Sequence, residues 1–322
     1  MAIYKIDKNK LQALTVKKFD LERDIQKLTE SNLDLLFGLK FISGSLNQEF
    51  SVRVNEQDFY IDTLAFDESQ NSFVLIEYKK DKSISVIDQG FAYLSAMLNH
   101  KADFVLELNE RLQKKFSKKD IDWEQSRIIF VSPEFTNYQR NAINFKDLPI
   151  YLYEVQLYSN DLVEYDPIKP YRTTESISSL SNDKTIQKVT QEVKVYSEDS
   201  LLAKGEKAKE LYRELRQKIL QIDSSLIFHP TKTYISVQKH GNWRMILSIN
   251  VYQNKLVVDF TRSQPKDYND PEKKLIYKLN SLKYFNQHIS TMHVESPDDV
   301  SYAAQLFEQA YKRFLSQFEG KK

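Results

Sequence analysis

Apolar positions in the first half of the chain follow two rhythms. From Lys17 they fall at Leu21, Ile25 and Leu28, the spacing of one helical face. Asp34 to Phe37 adds a further turn ending near Gly38. Two runs rich in aromatic and branched residues come next, Asp58–Phe66 (DFYIDTLAF) and Ser72–Tyr78 (SFVLIEY), joined by the turn-like DESQN. They predict two neighbouring strands. A helix then starts after Ser83 or Ser85, either of which can cap it, and runs through SVIDQGFAYLSAMLNH. A second helix is expected over Asp103–Phe116. SRIIFVS reads as a buried strand, NYQRNAINF as a helix and IYLYEVQLY as a strand. After a short extended IYKI, the order α-β-β-α-α-β-α-β predicts a mixed sheet flanked by helices.

The second half starts with an amphipathic helix over Ser200–Ile222. Strands are expected at Thr233–Lys239, Trp243–Tyr252 and Lys255–Phe260, with His240-Gly241-Asn242 and Gln253-Asn254 at the hairpin turns. A helix near Pro271–Asn280, the strand HISTMHV and a helix over Asp298–Phe318 complete a small α+β domain with a three-stranded antiparallel core. Between the halves, Asp166-Pro167 and Lys169-Pro170 lead into YRTTESISSLSNDKTIQKVTQEVK, which has little apolar periodicity. Residues 171–195 are therefore expected to be a linker between a domain at 1–170 and another at 196–322. The fold class expected for the whole is α/β (α+β).

A length of 322 residues suits two domains. With 41% apolar and 28% charged residues the chain has the composition of a globular protein. No apolar run approaches the roughly 18 residues of a membrane helix, and MAIYKIDKNK lacks a secretory h-region. Cysteine is absent, which removes disulfides, thiol nucleophiles and zinc–thiolate sites. A cytoplasmic address without membrane contact is expected. The six glycines are too far apart for GxGxxG or a P-loop, and GxSxG is missing. The net charge of +1 hides an asymmetry. Residues 1–170 carry 22 basic and 27 acidic residues, whereas residues 196–322 carry 20 and 15.

The chemistry concentrates in IDTL and FVLIEYKK. Asp62 lies within one expected strand, and Glu77 and Lys79 lie at the end of the next. Glu77 and Lys79 are two apart and so project from the same face of a strand. Tyr78 points to the other face, but its backbone carbonyl is free to serve as a ligand. Two carboxylates and a carbonyl make an all-oxygen site, which suits Mg²⁺ or Mn²⁺. A neighbouring lysine orients water and stabilises charge on a phosphate. A Glu-x-Lys pair on an exposed strand would be ordinary surface. Here FVLI precedes Glu77, and Ile61 and Leu64 flank Asp62; charges emerging from buried strands need a partner or a cation.

The pattern D-x(14)-E-x-K on a hairpin behind a helix resembles the PD-(D/E)XK nuclease superfamily. Gln89 and Tyr93 on the following helix match the QxxxY motif of its RecB-like branch. The LERDIQKL segment before the core is similar to the NucS-like endonucleases. The resemblance covers residues 15–160 and implies a restriction-endonuclease-like mixed sheet. It implies Asp62 and Glu77 as metal ligands, Lys79 as the catalytic lysine, and Gln89 and Tyr93 as supporting or DNA-contacting groups. It further implies an acid from the first helix, with Glu22 the first choice and Glu30 behind it. The activity implied is Mg²⁺- or Mn²⁺-dependent hydrolysis of DNA phosphodiesters in restriction, repair or defence. Single-stranded, duplex and branched substrates all remain open, and a homodimer is compatible. Ile61 stands where many members have proline. Because the superfamily contains inactive members, the alternative is a nuclease-fold module that binds nucleic acid or a protein without cutting. The second half resembles a small domain of unknown function found behind such nuclease-like domains. Its strands carry Lys239, Trp243, Arg244 and Arg262, a basic and aromatic set suited to phosphate contact and base stacking.

Overall fold

The computed structural model of the chain describes residues 3–45, 49–54, 56–79, 85–171, 175–239, 242–285 and 287–318. The chain divides into two compact units, Met1–Val195 and Tyr196–Lys322, each with its own buried core. The fold is mixed α+β.

The first unit runs β1 (Tyr4–Asp7), β2 (Lys10–Ala13), β3 (Val16–Lys17), α1 (Glu22–Glu30), α2 (Leu33–Phe37), β4 (Lys40–Ser43), β5 (Phe50–Val54), β6 (Gln57–Ile61), β7 (Thr63–Asp67) and β8 (Ser72–Tyr78). It continues through α3 (Val86–Asn99), α4 (Lys101–Leu112), β9 (Arg127–Ser132), α5 (Asn137–Ala142), β10 (Ile150–Tyr158), β11 (Leu162–Pro167), α6 (Ile177–Leu180) and α7 (Lys184–Glu192). Its main sheet has the order β11-β10-β9-β8-β7-β4, with β3 pairing the far end of β10. The pairs β8–β9 and β9–β10 are parallel, and β7–β8 is antiparallel. β8 is the centre of the sheet and is buried along its whole length. Its Phe73 and Leu75 join the core that α3 covers with Phe91, Leu94 and Met97. Its side chains of opposite parity, Val74, Ile76 and Tyr78, are equally buried, and α1 contacts the strand. This two-sided burial explains the unbroken apolar run FVLI. Ser85 caps α3 by accepting the Asp88 amide at 3.3 Å; Ser83 lies outside the described residues.

Three expectations change here. The run Asp58–Phe66 is not one strand. β6 pairs with β5 in a separate two-stranded ribbon, β7 belongs to the main sheet, and the chain turns between them at Asp62. The helix expected from Lys17 starts at Glu22, because Val16 and Lys17 pair with β10. The segment 171–195 is not a linker throughout. Asp183 caps α7 through the Thr185 and Ile186 amides, and Ile177, Ile186, Val189 and Val193 enter the first core. Three of these recur at helical spacing, but within so polar a stretch they leave little apolar signal.

The second unit runs α8 (Glu198–Leu202), α9 (Glu206–Ile222), β12 (Leu226–Pro230), β13 (Tyr234–Lys239), β14 (Asn242–Val251), β15 (Leu256–Thr261), β16 (Ile276–Tyr277), α10 (Ser281–Phe285), β17 (Ile289–Val294) and α11 (Pro297–Phe318). The three expected strands sit side by side within a six-stranded antiparallel sheet, β12-β13-β14-β15-β17-β16. Alternation along β15 sends Leu256, Val258 and Phe260 into a core shared with α9 and α11. No helix forms over Pro271–Asn280. The Asp270 carboxylate accepts the Lys274 and Leu275 amides and the Tyr302 hydroxyl, which holds the segment as a turn leading into β16.

Candidate active site

The β7–β8 pairing sets Thr63 opposite Ile76, so Asp62 arrives beside Glu77 at the mouth of the hairpin. Asp62 Oδ2 accepts the Tyr78 amide at 3.1 Å. Glu77 is 3% exposed. Its Oε1 accepts from Lys79 Nζ at 2.6 Å and from Gln89 Nε2 at 2.8 Å. The Tyr93 hydroxyl hydrogen-bonds the same carboxyl. Gln89 and Tyr93 are one helical turn apart on α3, which is why both reach Glu77. The Tyr93 ring is held edge-on by Phe59 of β6, centroids 4.6 Å apart. Glu22, at the first turn of α1, is exposed, and its charge is felt by both Asp62 and Lys79.

The electrostatics follow from two acids in one dry corner. Burial, and then the Asp62 charge, push the Glu77 carboxyl up to about 7, against the pull of Lys79. Asp62 is also raised, by burial first, although the Tyr78 amide and Lys79 oppose the shift. Burial works against the charge on Lys79, but Glu77 and Asp62 outweigh it and hold the ammonium above its ordinary value. Tyr93 is raised by burial and by the two carboxylates. Burial is the first cause on both acids, and on Glu77 the Asp62 charge adds to it.

The donor set fits a divalent cation. Two carboxyl groups lie side by side, and Gln89 Oε1 is a buried acceptor with no hydrogen-bond partner. Among the described residues no three His, Cys, Asp or Glu side chains form a ready-made metal group. Asp62 and Glu77 would therefore hold the ion with a carbonyl and water, as Mg²⁺ commonly allows. The Tyr78 side chain points away from the corner, its hydroxyl hydrogen-bonded to Thr63 Oγ1 at 3.2 Å.

Glu30 does not reach the corner. Its carboxylate is taken up by Gln26 Nε2 at 3.0 Å, the Ser45 amide at 3.0 Å, Thr63 Oγ1 at 2.5 Å and the Ser45 hydroxyl. It acts as a strut instead. Gln26 Nε2 also donates to the Asp62 carbonyl at 2.7 Å, which fixes the turn between β6 and β7. Glu22, Gln26 and Glu30 recur every four residues along one face of α1, the sequence signal for this support. A Cβ at Gly44 would sit 2.1 Å from Glu30 Oε1 and 3.0 Å from the Asp62 carbonyl. Gly44→Ala should therefore displace the strut and cost about 2 kcal/mol in urea unfolding, the range for a disturbed charge-assisted bond. An unchanged midpoint would remove Glu30 from this role.

In the second unit, Arg244 and Arg262 both reach the ring of Phe318, with guanidinium carbons 4.5 and 5.4 Å from its centroid. Lys239 instead lends its charge to Asp223. Trp243 lies in β14, with its side chain outside the described residues.

The chain is 38% identical over 314 residues to an uncharacterized protein of Haemophilus influenzae, covering 97% of this chain and the whole of that one. It belongs to that protein's family. The family described as Domain of unknown function (DUF5655) matches residues 198–313, within the second unit. No solved structure matches. Among the described residues no helix is long and apolar enough to cross a membrane.

Proposed function

We propose that the first unit is a divalent-metal-dependent nuclease of PD-(D/E)XK type acting on DNA. One observation carries the reading: Asp62, Glu77 and Lys79 meet at one buried corner, backed by Gln89 and Tyr93. Mg²⁺ or Mn²⁺ bound there would supply Lewis-acid stabilisation of charge on a scissile phosphate. The chain's own residues prepare for it. The Tyr78 amide orients Asp62, and Gln89 and Tyr93 lock the Glu77 rotamer. Lys79 rests on Glu77 and, once released, is placed to orient water or a phosphate oxygen. The deciding test is incubation with single-stranded, duplex and branched DNA in Mn²⁺ or EDTA.

A second reading has its own support. Glu77 Oε1 is already taken by Lys79 and Gln89, and an inert relative that binds nucleic acid or a protein would keep that closed arrangement. Such a protein shows no cleavage of any of the three substrates and no Mn²⁺ binding.

Attraction of a polyanion falls to the second unit in this reading, since residues 196–322 carry 20 basic and 15 acidic residues. Truncation to Met1–Val195, which retains its own core, should weaken DNA binding and flatten its salt dependence. Each lost phosphate contact removes roughly 0.7–0.9 from the log–log slope. Equal affinity and slope for the truncated and full chains would assign the second unit another task.

A further inference from the structure

β1 and β2 pair only with each other, as a two-stranded ribbon apart from the main sheet. The Leu14 amide closes the ribbon by donating to the Ile3 carbonyl at 2.9 Å. Every residue from Tyr4 to Ala13 is exposed. The register sets Tyr4 opposite Ala13 and Ile6 opposite Leu11, so one face is apolar. On it Tyr4, Ile6 and Leu11 are 51%, 73% and 67% exposed. The other face carries Lys5, Asp7, Lys10 and Gln12. At the turn Lys8 and Asn9 both have left-handed φ values, 44° and 66°, a conformation that a lysine adopts at a cost. Residues 3–18 hold five lysines, Lys5, Lys8, Lys10, Lys17 and Lys18, and one acid, Asp7. All five lysines are exposed, and among the described residues none is in an ion pair. The unit around them has the opposite balance, 22 basic and 27 acidic residues over 1–170.

A ribbon of two strands is marginal in water on its own, and an apolar face beside unpaired strand edges calls for a cover. The charge decides the occupant. Five like charges set two copies of the ribbon against each other and attract a polyanion. We propose that the ribbon is a DNA-binding arm of the first unit, laid in the major groove of a duplex. That groove admits a two-stranded β-ribbon. There Tyr4, Ile6 and Leu11 meet base edges and thymine methyl groups, while the long stems of Lys5, Lys8 and Lys10 reach phosphates of the groove walls. The root of the arm is fixed. The Thr15 amide donates to Ser159 Oγ at 3.1 Å, and the Ser159 amide donates to the Thr15 carbonyl at 2.8 Å. Phe19 is buried, and α1 follows with Glu22, whose charge Asp62 and Lys79 feel. The choice of DNA as the polyanion rests on the nuclease reading, but the arm itself needs no cleavage. The second unit attracts the polyanion from a distance, and the arm grips it on the unit that cuts.

The test is fluorescence anisotropy of the full chain with a labelled duplex in EDTA, at salt from about 50 to 200 mM. Binding is then read without cleavage. Lys5→Gln, Lys8→Gln and Lys10→Gln together should lower the log–log salt slope by about 2–3, since each lost duplex phosphate contact removes roughly 0.9. The same change at Lys115, Lys118 and Lys119, exposed in the loop after α4, should leave the slope unchanged. Ile6→Ser with Leu11→Ser should weaken binding about tenfold at the parent's slope, as lost base contacts do. These side chains all lie outside the core, so circular dichroism should match the parent. Equal slope losses from the two lysine triples would reduce the effect to net charge and overturn the proposal. So would parent-like binding by the ribbon triple. Binding of the parent to phosphatidylglycerol vesicles but not to the duplex assigns the ribbon to a membrane surface and also overturns it. Ribbon-dependent binding by a chain that cuts nothing in Mn²⁺ keeps the arm and removes the nuclease reading. Cleavage with ribbon-independent binding does the reverse.

Discussion

Lys79→Ala is expected to lower Mn²⁺-dependent DNA cleavage by about 10²–10³-fold, the usual loss when one charge-stabilising donor is removed from an active site. Asp62→Ala should do at least as much, because it removes a carboxylate that would bind the ion. The fold should survive both changes. Lys79 lies at a strand end and is partly exposed, and the strands beside it remain paired. Circular dichroism and urea midpoints check that point, and cleavage rates at saturating DNA check the chemistry. Cleavage that persists in both variants would move the reaction away from this corner. If the parent also fails to cut in Mn²⁺, the inert reading stands.

A second large effect is a reversal of the usual consequence of losing a buried hydrogen-bonded residue. The Glu77 carboxyl has an ordinary value of 4.5 and sits near 7 in the folded protein. Between those values the folded chain keeps a proton that the unfolded chain has released. Stability therefore falls as pH rises through that window and levels off above it. A tenfold change in proton affinity corresponds to about 1.4 kcal/mol. Glu77→Gln removes the slope, so at pH 8 in EDTA the variant should be more stable than the parent by about 1–3 kcal/mol. Asp62, raised in the same direction, leaves a weaker slope behind. Mn²⁺ should then stabilise the parent and leave the variant unmoved. Urea unfolding from pH 4.5 to 8 measures all of this. A variant with the parent's pH profile would show that Glu77 is already ionised in the folded state.

The corner was legible because its members obey short periods. Glu77 and Lys79 are two apart on a strand, Gln89 and Tyr93 four apart on a helix, and a short turn returns Asp62 to Glu77. The struts were harder to see. Glu22, Gln26 and Glu30 share a helical face, but an acidic helix face looks the same whether it is solvated or holds a loop. Only the approach of Ser45 and Thr63 gives Glu30 its partners from beyond the helix. The same limit made a linker of 171–195: Ile186, Val189 and Val193 mean little until the core receives them.

By itself, then, the sequence determined most of the strands and helices of the first unit, the central buried strand and the residues that meet at the candidate site, since each depends on spacing within about twenty residues. Tertiary structure decided which strand pairs took Asp62 out of a continuous strand and which acid on α1 became a strut. Those outcomes depend on register and on the meeting of surfaces far apart in the chain. A local pattern carries no record of such distances; packing selects among arrangements that the pattern alone leaves equal.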